Sequence, residues 1–295
     1  MEALKGLTME IEKGTVFGFV GPNGAGKSTT MSILATLLAP TSGKAYVGGY
    51  EVTQHPREVR KLIGYMPDFF GVYDNLTAEE YLDFYAANYD IPPAQRKQII
   101  PQLLELVNLS HKREAYVDSL SRGMKQRLGL ARCLVHNPEV LILDEPASGL
   151  DPRARIELRE ILKELRDMGK TILISSHILP ELAEMCDVIG IVEEGNLVAF
   201  GRVDEIYSKM QEKRVLRIRL LDRLEETMAF LREQPSVASV SREGNGVIVG
   251  FNGDDEQQAA LLRNLALAGF SVASFNEEQG DLEEIFLEIT KGVGT

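Results

Sequence analysis

The ten residues GPNGAGKSTT, Gly21 to Thr30, constrain this chain more than any other stretch. They follow a β-rich run, TVFGFV, and lead into KSTTMSILATLLAP, a helical run expected to stop at Pro40. The spacing G-x-x-x-x-G-K-[ST] is complete in Gly21, Gly26, Lys27 and Ser28. Glycines let successive backbone N–H groups converge on an anion with no Cβ in the way. The start of the helix adds free N–H donors and a positive dipole end. Gly21, Pro22, Asn23, Gly24, Ala25, Gly26, Lys27, Ser28 and Thr29 are the candidate phosphate cradle. Within it, Lys27 is placed for the β- and γ-phosphates and the Ser28 hydroxyl for Mg²⁺.

The length of 295 residues allows two domains, or one large one with an appendage. The net charge of −12 argues against a main role in binding nucleic acid, where affinity comes mostly from neutralising phosphates. Cys133 and Cys186 lie far apart and match no metal spacing, so they read as buried thiols in a reducing cytosol. The start MEALKGLTMEIEKG has neither the basic end nor the apolar core of a signal peptide. No window offers the roughly 20 apolar residues of a spanning helix, so any work at a membrane passes through a partner.

Two apolar runs end in chemistry. VLILDEP, Val140 to Pro146, reads as a strand buried on both faces of a parallel sheet. Its carboxylates then emerge where such sheets place their sites, Asp144 for Mg²⁺ and Glu145 to polarise an attacking water. TILISSH, Thr171 to His177, is a second such strand, and His177 at its end is expected on the γ-phosphate side.

Between these elements stands LSRGMKQRLGLARCL, Leu120 to Leu134. With it the chain resembles the ATP-binding cassette (ABC) ATPases, in the order phosphate loop, signature at Ser121 and Gly123, Asp144–Glu145, SGLD (Ser148 to Asp151) and His177. The resemblance covers residues 21–177. It implies an α/β fold, the P-loop NTPase domain of an ABC ATPase, hydrolysing ATP with Mg²⁺. It also implies a partner cassette, a copy of this chain or a paralogue, whose ATP γ-phosphate faces Ser121 and Gly123. Ser121 suits that role as a helix cap, and Gly123 as a residue that leaves its backbone amide exposed. Asp151 would cross the interface between cassettes.

Residues 75–116 read as mostly helical, with Thr77 and Glu80 spaced as a capping box and Pro101 as an interruption. In the family this helical subdomain, about residues 75–135, touches an integral-membrane permease. The aromatic stretch DFFGVYDNLT, Asp68 to Thr77, suits either docking or packing within the domain. DLEEIFLEIT, Asp281 to Thr290, resembles the end of ATPase subunits of ABC-2 type exporters, the group that includes drug efflux. The implied protein is the ATPase subunit of an exporter, cytoplasmic and peripheral on the inner face of the cell membrane. Two alternatives stand beside it: a soluble ABC ATPase that remodels a non-membrane partner, and a kinase using the same loop.

Three positions depart from the family pattern. Asp68 stands where a glutamine that senses Mg²⁺ is usual, and it offers a hard oxygen ligand one methylene shorter. The signature reads S-R-G-M, so Arg122 adds charge near phosphate. No aromatic residue precedes Phe17, so the residue that stacks on adenine is missing, and nucleotide selectivity is expected to be poor. A missing upstream strand would leave a sheet edge exposed at Leu7–Ile11.

The cassette is expected to occupy residues 1–210 and a second domain residues 211–295. RVLRIRL places Leu216, Ile218 and Leu220 on one face of a strand. The pattern continues with a helix, a hairpin turning at EGNG, an amphipathic helix, the strand SVASF and a closing helix at DLEEIFLEITKG. The order βαββαβ predicts a small α+β, ferredoxin-like sandwich. It holds no candidate nucleophile or metal cluster and reads as a regulatory or dimer-contact domain.

Overall fold

The computed structural model describes residues 2–68, 71, 73, 75–205, 214–244 and 246–278. The chain divides into two compact units, Met1–Arg202 and Val203–Thr295.

The first unit is built on a six-stranded sheet in the order β4-β5-β6-β1-β7-β8. Its strands are β1 (Val16–Val20), β4 (Ile63–Met66), β5 (Val140–Leu143), β6 (Thr171–Ser176), β7 (Val188–Glu193) and β8 (Asn196–Arg202). All neighbours pair in parallel except β8, which returns antiparallel to β7. Continuous apolar runs make this possible, because helices cover both faces. Every residue of β1 is buried. A small hairpin, β2 (Tyr46–Val47) and β3 (Tyr50–Glu51), forms a separate sheet.

The helices are α1 (Lys27–Leu34), α2 (Pro56–Leu62), α3 (Ala78–Asn88), α4 (Pro93–Leu106), α5 (Arg122–Leu134), α6 (Pro152–Asp167) and α7 (Leu179–Met185). The capping box at α3 is present in both directions, Thr77 side chain to Glu80 and Glu80 side chain to Thr77. Arg127 of α5 is buried and ties three helices together. It donates to the Val107 and Asn108 carbonyls after α4 at 2.9 and 3.2 Å, and pairs with Glu157 of α6 at 3.2 Å.

Three expectations need correction. α1 stops at Leu34 rather than at Pro40, because Thr36 takes a left-handed φ of 62° that no helix continues through. Pro101 does not interrupt α4: the helix runs through it and gives up one backbone bond. Leu7–Ile11 forms no strand, so it is not a sheet edge. Leu7, Met9 and Ile11 instead pack half-buried on the core around Phe17, Met31 and Leu173. Among the described strands, the edges of this sheet are β4 and β8.

The second unit is a four-stranded antiparallel sheet of β9 (Arg214–Leu220), β10 (Val237–Glu243), β11 (Gly246–Phe251) and β12 (Val272–Glu278), with α8 (Leu224–Arg232) and α9 (Asp255–Leu267). The spatial order is β10-β11-β9-β12. Counted within the unit this is 2-3-1-4, the ferredoxin-like arrangement that βαββαβ predicts. Leu216, Ile218 and Leu220 all face its core, with Val247, Val249 and Phe251. The closing helix expected at DLEEIFLEITKG lies outside the described residues.

Candidate nucleotide and hydrolysis site

Four adjacent parallel strands, β4, β5, β6 and β1, end on the same side of the sheet. Strands lie about 4.8 Å apart, so the residues just past their C-terminal ends form one row. Asp68 follows β4, Asp144 and Glu145 follow β5, His177 follows β6, and the glycine-rich loop follows β1. A cavity of about 310 Å³ opens there, lined by Asn23, Gly24, Gly26, Lys27, Ser28, Thr29, Asp68, Glu145, Ser148 and His177.

The loop is held open by its own backbone. Gly24 and Gly26 have φ of 86° and 106°, conformations that a side chain would strain. Gly21 has no room for a Cβ, which would collide with the Val192 carbonyl. The Gly21 and Pro22 carbonyls accept from Lys27 Nζ at 2.6 and 3.2 Å, and Ala25 is buried. The Lys27 ammonium is therefore buried, and Glu145 Oε1 lies 3.8 Å away. Burial pushes the Lys27 pKa below its ordinary value, against the opposing pull of Glu145 and Asp144.

Asp144 is buried beneath the cavity, and its Oδ1 accepts from Ser175 Oγ at 2.5 Å. The same Ser175 oxygen accepts from the Glu145 backbone N–H at 2.9 Å. One hydroxyl thus fixes both carboxylate residues. Glu145 needs that support, because its φ of 50° is left-handed, a costly conformation for a residue with a Cβ. Glu145 Oε2 accepts from His177 Nδ1 at 2.9 Å, which assigns the proton to that nitrogen. Ser148 N–H closes a turn on the Glu145 carbonyl at 3.0 Å. Ser148 opens the SGLD stretch, whereas no sequence signal marked Ser175. The second serine of TILISSH is Ser176, which instead receives the Ile178 N–H at 3.0 Å.

The donors suit a hard cation completed by phosphate. Ser28, Asp68 and Asp144 offer oxygen only. Among the described residues no group of three or more His, Cys, Asp or Glu forms a metal cage by itself. Mg²⁺ keeps waters and substrate oxygens and needs only one or two protein carboxylates, so the set fits.

Ser121, Gly123 and Asp151 do not line this cavity. Ser121 caps α5, accepting from Met124 N–H at 3.3 Å, and Asp151 caps α6, accepting from Ala154 N–H at 3.0 Å. Gly123 packs against α6, where a Cβ would come within 3.1 Å of Ala154 Cβ. The signature residues Ser121 and Gly123 thus stand at the start of α5, apart from the cavity.

The ABC transporter family profile matches residues 4–148, and that of the C-terminal domain of DrrA1-3-like ATP-binding proteins matches residues 201–290. The linearmycin resistance ATP-binding protein LnrL of Bacillus subtilis (strain 168) is 30% identical over 289 residues, 97% of this chain and 93% of its own. The chain belongs to the ABC transporter family. The daunorubicin/doxorubicin resistance ATP-binding protein DrrA of Streptomyces peucetius is 34% identical over 291 residues, 98% of this ABC protein and 88% of its own. A dimeric post-hydrolysis state of the ATP-binding cassette MJ0796, bound to ADP and Pi, superposes with a TM-score of 0.62 at 25% identity, covering 68% of this chain and 90% of that one. This ABC protein is therefore an ATP-binding and ATP-hydrolysing subunit of the exporter type, as its sequence resemblance implied. Among the described residues no helix is long and apolar enough to cross a membrane.

Proposed function

We propose that the chain powers export through a separate membrane permease, on whose cytoplasmic face it sits. The carrying observation is the Glu145 carboxylate, held at the cavity wall between Lys27 and His177. That position suits polarising a water toward a γ-phosphate seated in the glycine-rich loop. Lys27 compensates the phosphate charge, and the loop N–H groups and the α1 N-terminus bind its oxygens. His177 orients Glu145 and borders the same phosphate. Ser28, Asp68 and Asp144 hold Mg²⁺, which when bound neutralises phosphate charge. Ser121 and Gly123 serve the nucleotide of a second cassette, and Asp151 lies at that interface, so ATP joins the two cassettes and hydrolysis separates them.

The permease surface is proposed on the helical subdomain, where Tyr73 and Phe84 form an exposed edge-to-face pair with ring centroids 5.2 Å apart. A compound class like those in the relatives' names, antibiotics, is the cargo, chosen by the permease. The unit from Val203 onward is proposed as a regulatory or dimer-contact domain.

The test uses Glu145→Gln, which keeps the shape of the site and removes the base. The tagged variant is recovered from its native cell in mild detergent with Mg-ATP. A polytopic membrane protein co-purifying with it supports the reading, and recovery with a ribosome or with soluble proteins alone overturns it.

A further inference from the structure

The second signature residue, Arg122, lies over the turn that carries Glu145. Gly149 has a φ of 66°, and a Cβ placed on it would collide with the Arg122 guanidinium. The planar head therefore rests on the bare Gly149 backbone and fills the space a side chain would take. Arg122 is the first residue of α5, and Gly149 lies two residues before Asp151, the cap of α6.

From Gly149 the connection to the hydrolytic carboxylate is short. Its neighbour Ser148 lines the cavity and donates its N–H to the Glu145 carbonyl at 3.0 Å. Glu145 is left-handed, so its carboxylate direction depends on that turn staying closed. The start of α5 and the start of α6 are already packed together through Gly123 and Ala154. Arg122 adds a lid over the turn between them.

We infer that Arg122 is a positioning residue for ATP hydrolysis, which fixes the Glu145–Gly149 turn and so aims the Glu145 carboxylate. The inference rests on the proposed role of Glu145. It assigns Arg122 an effect on the chemical step in its own chain, through Gly149, rather than a direct contact with phosphate. A displaced carboxylate lowers turnover while the phosphate loop, untouched, keeps its affinity.

The experiment measures steady-state ATP hydrolysis and Mg-ATP binding by the full chain for Arg122→Gly, Gly149→Ala and the double variant. Alanine at Gly149 strains the turn at its φ of 66° and pushes the guanidinium away, so both single changes disturb the turn. The expected result is a kcat about tenfold lower in Arg122→Gly, equivalent to about 1.4 kcal/mol in the barrier, with KM and binding within about twofold. The double variant is expected to be no slower than the slower single one. A kcat unchanged in Arg122→Gly overturns the inference. So does a double variant whose loss is the product of the two single losses, because the residues then act independently. Circular dichroism and melting of each variant confirm that the turnover compared is that of folded protein. Glu145→Gln runs alongside. Turnover retained there overturns the proposed base itself, whereas turnover lost there but kept in Arg122→Gly overturns the positioning role alone.

Discussion

At Lys27, burial holds the ammonium pKa below its ordinary value, and Glu145 and Asp144 offset this only in part. In the window between the lowered folded pKa and the ordinary one, the unfolded chain binds more protons, so stability rises with pH there. Below that window both states hold the proton, and burial of the charge weighs against the folded one. Lys27→Met removes that buried charge and is therefore expected to melt higher than the parent without nucleotide. The same variant is expected to lose the upward shift with Mg-ATP. Differential scanning fluorimetry with and without Mg-ATP reads both, and a lower melting point without nucleotide contradicts the argument. His136 has a pH course of the same sign, in a lower window. Its ring stacks on Tyr89 at 3.9 Å, and its Nε2 donates to the Ile63 carbonyl at 2.9 Å. Burial lowers its pKa, and Lys170 adds to this. The neutral ring therefore contributes stability that is present above about pH 6.5, the ordinary histidine value, and is lost as pH falls through the folded value. Denaturant melts at pH 7.5 and 5.5 are expected to show a smaller acid loss for His136→Gln than for the parent.

Among the elements, α3 and α4 permit opposite changes. Thr77→Ala removes one half of the capping box and is expected to cost about 1 kcal/mol. Pro101→Ala restores a helical N–H inside α4 and is expected to add about 2 kcal/mol. That figure is about 3 kcal/mol for proline in a helix interior less about 1 kcal/mol for the freer unfolded chain. Urea unfolding with an unchanged m-value reads both, and equal midpoints for Pro101→Ala and parent would sink the second. The same elements show what a sequence reveals. β5 and β6 were legible because VLIL and TILISS are buried on both faces and end in reactive side chains. The C-terminal unit was legible because Leu216, Ile218 and Leu220 alternate, and because βαββαβ admits few sheets. Thr77 and Glu80 are a local signal, three residues apart. The missed features are nonlocal. Ser175 reaches Asp144 and Glu145 across 30 positions or more, and Arg127 gathers carbonyls and a carboxylate from two other helices. Nothing in the single letters separates Ser175 from Ser176. The early end of α1 depends on the backbone of Thr36, a residue that rarely takes a left-handed turn.

For the whole molecule, the two compact units have separate apolar cores, one around Phe17, Met31 and Leu173 and the other around Ile218, Val249 and Phe251. A core is the cooperative unit of unfolding, so calorimetry is expected to resolve two transitions. The nucleotide cavity draws all its lining residues from the first unit. A ligand that binds only the folded form stabilises that form by RT ln(1 + [L]/Kd), about 2.7 kcal/mol at a hundredfold excess over Kd. Mg-ATP added to Glu145→Gln, where turnover does not consume it, is therefore expected to raise one transition and leave the other in place. Val249→Asp buries an unpaired carboxylate in the second core and is expected to lower only the transition that nucleotide does not move. If nucleotide raises both transitions together, the units unfold as one, and the second unit then reports on the state of the ATP site through the fold itself.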